Sequence, residues 1–87
     1  MTPIRKIIDG ITVEVQNELF VAMGKFPRLN SYHEAYAVIM EEVDELWVEI
    51  KKKRADQDVV RNEAIQVAAM AIRLILDCCE EVGHERV

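Results

Sequence analysis

The residues best suited to chemistry in this chain are its carboxylates. Glu41, Glu42, Asp44 and Glu45 follow one another closely, and Glu49 comes one helical turn later. At about 100° per residue, Glu42, Glu45 and Glu49 fall along one helical stripe, with Glu41 one step around. Like charges on one stripe repel and weaken an isolated helix. A bound divalent cation converts that repulsion into ligation, and hard oxygen donors suit Mg²⁺ or Mn²⁺ rather than zinc. Acidic clusters on helices are usually solvated faces. Two features set this one apart. Val43 and Leu46 interleave with Glu42 and Glu45, so the acidic stripe borders the apolar stripe instead of opposing it. Glu63, further on, stands at the entry to the most apolar segment, where a charge needs a partner.

Other reactive side chains point to less. His33 has no His or Cys partner at ligand spacing, which argues against zinc. A carboxylate-bridged di-iron bundle needs Glu-x-x-His pairs, and the sequence has none. Cys78 and Cys79 are adjacent in a helical pattern, poorly placed to bond each other, and read as small buried hydrophobes in a reducing compartment. His84 falls in a tail expected to fray.

The elements that must position the acids are helical. The chain has 87 residues, 51% of them hydrophobic, with three Gly and two Pro, which predicts one small, loop-poor domain spanning residues 1–87. Ala, Leu, Ile, Glu, Met and Lys dominate, favouring an all-α fold. Apolar residues at Ile4, Ile8, Ile11, Val15, Leu19 and Ala22 define a first helix over about Ile4 to Met23, closed by Gly24 and Pro27. Ser31-Tyr32-His33-Glu34 reads as a capping box. It opens a second helix to about Lys53, with Ala35, Ile39, Val43, Leu46 and Ile50 on its core face. Lys51 to Arg54 suit a helix C-terminus. A third helix is expected from about Val59 to Glu81. From Ala64 to Cys79 its only strongly polar residues are Gln66, Arg73 and Asp77, and a helix apolar nearly all round must be buried on most sides. Two companions cannot do that. The three helices are therefore expected to form a four-helix-bundle-type core completed by a homo-oligomer, a dimer or a tetramer.

The net charge of -5, from 16 acidic and 11 basic residues, makes the chain a poor match for a nucleic-acid polymer. Phosphate ligands remain compatible when divalent cations neutralise both parties. With no secretory leader and no long uncharged apolar run, the expectation is a soluble cytoplasmic protein without membrane contact.

Glu41-Glu42-x-x-Glu45, then 17 intervening residues, then Glu63, resembles the EExxE…ExxD signature of the MazG-like all-α nucleoside triphosphate pyrophosphatases. The resemblance covers about Ser31 to Asp77. It implies hydrolysis of nucleoside triphosphates to monophosphate and pyrophosphate, with Mg²⁺ (or Mn²⁺) held by Glu42, Glu45 and Glu63. Gln66 stands where the family motif ends in Asp; it offers one neutral carbonyl oxygen and removes a full negative charge. That departure also admits a fold relative that binds nucleotide, or a protein partner, with weak or no turnover. Glu41 is the candidate to orient or deprotonate the attacking water, with a surface or capping role as its alternative. Arg73, seven residues beyond Gln66, either pairs with an acid or reaches a phosphate. Lys53 and Arg61 are further phosphate candidates, although a basic run at a helix end is usually just solvated. For the base, the resemblance points to the segment leading into the second helix and to aromatic residues near the acids, with His33 and Trp47, and Phe26, Tyr32 and Tyr36, as the available stacking groups.

Overall fold

In a computed structural model, residues 3–81 are described, and all their regular structure is helical. His84 lies outside the described residues. Helix α1 spans Pro3–Lys25, α2 Tyr32–Ile50 and α3 Gln57–Leu74, and α3 runs on into a π-helical turn at Ile75–Cys79.

The helix ends follow from local chemistry. Ser31 Oγ accepts from the Glu34 amide at 3.0 Å, while Glu34 Oε1 reaches back to the Asn30 amide at 2.8 Å, one residue before the cap itself. Asp56 caps α3 by accepting from the Asp58 and Val59 amides at 2.9 and 3.3 Å. That cap starts α3 two residues earlier than the apolar pattern predicts. Helix α2 stops at Ile50 instead of Lys53, so the basic run forms the turn and not the last helical turn. The third helix does not continue to Glu81. It widens into the π-turn, which is where Asp77 is buried.

The chain runs up, down and up, with α3 in the middle. Helices α1 and α2 each pack on α3 and scarcely on each other. Polar contacts fix α1 parallel to α3: Glu14 pairs with Arg61, Glu18 with Gln66, and the Pro27 carbonyl with Arg73. This register sets the first residue of α3 level with about residue 10 of α1. The start of α1 therefore projects roughly 10 Å beyond α3. The core is Val15, Leu19 and Ala22 from α1 against Ile65, Ala69 and Met70 from α3, with Val38 and Ile39 of α2 packed against it.

Three sequence expectations are corrected here. The α1 stripe is buried only in its second half: Ile4 and Ile8 are exposed because α3 does not reach them, and Ile11, level with the very start of α3, is still 39% exposed. Ile50, expected in the core, is 46% exposed at the end of α2. Cys79 is exposed and only Cys78 is half-buried, because the π-turn rotates this pair relative to a continuous α-helix.

The loop between α1 and α2 is tied down from the far end of the chain. Arg28 donates to the Asp77 carbonyl at 2.8 and 3.2 Å, and the Leu29 amide donates to Asp77 Oδ2 at 3.0 Å. Arg73 Nη2 donates to the Pro27 carbonyl at 2.6 Å, and its guanidinium lies 5.8 Å from the centre of the Phe26 ring. Arg73 Nε sits 3.7 Å from Asp77 Oδ2, both side chains almost fully buried. No helix of the described residues is long and apolar enough to cross a membrane.

Candidate metal centre

Glu42 and Glu45 share a stripe because they stand one helical turn apart, and the short turn after α2 folds α3 back so that Glu63 faces them. Each of the three carboxylates places an oxygen within 4.8 Å of the others'. Glu45 is exposed; Glu42 and Glu63 are half-buried. The electrostatics record the crowding. Burial, and then a hydrogen bond and repulsion from Glu45, push the Glu42 carboxyl up to about 7. Glu63 is also raised, first by burial and then by the charges of Glu45 and Glu49. Glu63 Oε2 is buried and has no hydrogen-bond partner among the described residues. An all-carboxylate donor set with an unsatisfied buried oxygen fits a hard divalent cation.

Glu42 also belongs to a second feature. A cavity of about 360 Å³ opens beside it between the three helices. Ala22, Phe26, Pro27, Leu29, Val38 and Met70 supply apolar wall, and Glu34, Glu41, Glu42, Gln66 and Arg73 the polar wall. The mix of mainly apolar lining and a few convergent polar groups is typical of small-molecule sites.

The structure brings together Glu42, Glu45 and Glu63 at the acidic cluster, and Glu41, Gln66 and Arg73 around the adjoining cavity. The remaining candidates lie elsewhere. His33 lines a separate hollow with Arg28, Tyr32 and Cys78. Trp47 is 56% exposed on the side of α2 turned away from Glu45. Lys53 is exposed in the turn and lines no part of the cavity. Arg61 is engaged by Glu14 of α1, which holds that carboxyl below the usual range.

Sequence reasoning passed over one neighbour of the site, Glu18. The Gln66 amide nitrogen donates to its carboxylate across the α1–α3 contact. The signal for it existed only in the parallel register of α1 and α3, which periodicity within either helix does not contain. Glu49, one turn below Glu45, is held by Lys52 at 2.8 Å, so a lysine of the turn neutralises part of the acidic stripe. No protein-family model matches the chain, and comparisons with curated proteins and with solved structures return no match.

Proposed function

We propose that this chain is a Mg²⁺-dependent pyrophosphohydrolase of (deoxy)nucleoside triphosphates, related to the MazG-like enzymes it resembles. The observation that carries this reading is the convergence of Glu42, Glu45 and Glu63 from two helices onto one point, with their oxygens within 4.8 Å of one another. Mg²⁺ or Mn²⁺ bound there would polarise phosphate oxygens and lower the pKa of a bound water.

The chain's own residues then divide the work. Glu42, Glu45 and Glu63 would hold the cation. Glu41, exposed at the rim of the cavity, would accept a proton from a water or orient it. The polyphosphate belongs on the acidic side, where a cation can screen it. The uncharged end of the nucleotide belongs in the cavity, where three carboxylates repel phosphate and Phe26, Val38 and Met70 offer apolar contact. Arg73 closes that cavity; its ties to Pro27 and Asp77 keep the wall in place.

One observation favours a second reading, a nucleotide-binding or protein-binding relative with weak or no turnover. Gln66 spends its amide on Glu18 and brings no charge of its own to the site. Purified protein with Mg²⁺ or Mn²⁺ and a panel of nucleoside triphosphates separates the two. The enzyme reading requires release of pyrophosphate, lost in Glu45→Ala with helicity intact. Metal and nucleotide binding without hydrolysis would establish the second reading, and absence of both binding and hydrolysis would remove both.

A further inference from the structure

The cavity beside the acidic cluster has a polar wall of one kind, and that limits what can enter it. The backbone N–H groups that the loop brings to its lining are spent. The Phe26 amide donates to the Ala22 carbonyl at 2.9 Å, Pro27 has no N–H, and the Leu29 amide donates to Asp77 Oδ2 at 3.0 Å. At the start of α2 the Glu34 amide donates to Ser31 Oγ, and lining residues deeper in the helices use theirs in the helical ladder.

The side chains repeat the pattern. Arg73 is almost fully buried, with Nη2 on the Pro27 carbonyl, Nη1 at 3.9 Å from the Met70 sulfur and Nε beside Asp77, so its donors are turned into the wall. Gln66 gives its amide nitrogen to Glu18. A carboxylate only accepts, so the group that Gln66 keeps is its carbonyl oxygen. Glu34 accepts the Asn30 amide at Oε1, which leaves Oε2 as a further acceptor. Glu41 adds an exposed carboxylate to the same wall. Glu42 is assigned to the cation, and a metal-bound carboxylate carries no proton to donate. The cavity thus offers acceptors and apolar surface and, among the described residues, no uncommitted N–H.

A fitting ligand brings the opposite: a flat apolar body for Phe26, Val38 and Met70, and N–H donors at its edge. Resting on the nucleotide reading above, which puts the base here, we propose that the cavity selects bases carrying an exocyclic amino group, cytosine and adenine first, over their oxo counterparts uracil and hypoxanthine. Size does not choose, because about 360 Å³ admits one ring or two. Cytosine and uracil have nearly the same outline and differ where an amino group replaces a carbonyl oxygen. Adenine and hypoxanthine differ in the same way. The amino group donates to Glu34 Oε2 or to the Gln66 carbonyl. A carbonyl at that place finds no donor, loses its water and meets carboxylate charge. Uracil and hypoxanthine keep one ring N–H, but a carbonyl stands beside it. Guanine carries both kinds of group and falls between.

Calorimetric titration of the full chain with Mg²⁺ and the α,β-methylene analogues of CTP, UTP, ATP and ITP reads affinity without turnover. The cytosine analogue is expected to bind on the order of tenfold more tightly than the uracil analogue, and the adenine analogue than the hypoxanthine one, as a hydrogen bond to a charged acceptor supplies. Glu34→Gln keeps the cap, because Gln serves at this position too. Its carbonyl stays on the Asn30 amide, so an N–H₂ group takes the place of Oε2, and the cytosine-to-uracil ratio should fall several-fold. Equal affinities within both pairs, or a preference for the oxo bases, overturn the inference and leave the hydrolase reading standing. A ratio unchanged in Glu34→Gln overturns it too, since an acceptor wall cannot gain a donor without consequence. If no analogue binds, the nucleotide reading fails and the inference falls with it. Should Glu34→Gln fail to fold, the two wild-type ratios decide alone.

Discussion

At the scale of single residues, the molecule turns on where its negative charge sits. Three acids converge, and the position that could supply a fourth is Gln66, whose amide is turned to Glu18. If that corner matters to cation binding, Gln66→Asp should tighten Mg²⁺ by on the order of tenfold, as residues flanking a metal commonly do. Calorimetric titration reads this directly, and unchanged affinity would show that Gln66 merely lines the cavity. The same crowding sets a pH dependence. Glu42 has its carboxyl raised to about 7 from an ordinary 4.5, chiefly by burial and then by Glu45. A raised acid holds its proton more firmly folded than unfolded. Its contribution is therefore fully present below pH 4.5 and is lost as pH rises toward about 7. Glu63 acts in the same direction. Metal-free protein should lose on the order of 2 kcal/mol between those limits, solvent screening included. Melting temperature followed across that range without divalent ions checks it; a rise with pH would contradict the assignment. Added Mg²⁺ should flatten the curve, because a cation binds the ionised form.

At the scale of elements, the fold depends on a bond network between its two ends. Asp77 accepts from Leu29, pairs with Arg73 and offers its carbonyl to Arg28, so the π-turn holds the α1–α2 loop against α3. Asp77→Ala leaves a buried guanidinium short of its counter-charge and should cost about 3 kcal/mol in urea unfolding. A loss within about 0.5 kcal/mol would place it with ordinary surface changes. Gly10 offers the opposite case. A Cβ there would meet nothing within 4 Å. Gly10→Ala should therefore gain about 0.8–1 kcal/mol from helix propensity alone. These elements were unequally legible in the sequence. The period of the apolar residues gave three helices, and Ser31 with Glu34 gave the start of α2. Asp56 was overlooked as a cap because the apolar pattern of α3 starts later. The π-turn could not be read, and the residues that Asp77 binds from it, Arg28 and Leu29, stand nearly fifty positions away. Nor could the depth of burial of Ile4, Ile8 and Ile11, which depends on where α3 begins relative to α1.

At the scale of the whole molecule, the acidic cluster was legible because a helical hairpin with a short turn must bring Glu63 back alongside Glu45. The cavity was not, because its wall is assembled from α1, the loop, α2 and α3 at once. A cation bound at the cluster would be bound globally, since α2 and α3 are joined there and unfolding separates them. A ligand present at a hundredfold excess over its dissociation constant adds about 2.7 kcal/mol to stability. For a domain of this size that is a rise in melting temperature of about 10–20 °C. Glu63→Gln then separates a ligand from a structural acid by two effects of opposite sign. Removing one of three crowded charges should make the metal-free protein more stable than wild type at pH values above the raised Glu42 pKa, because the cost of burying the Glu63 charge, and then its repulsion by Glu45 and Glu49, is gone. The same substitution should abolish most of the Mg²⁺-induced rise, because one of the three ligands has become neutral. Scanning calorimetry of both proteins, with and without Mg²⁺, reads the two together. A variant that loses stability without metal and keeps the full Mg²⁺ shift would mean that Glu63 serves the fold and that the cation, if any binds, is held elsewhere.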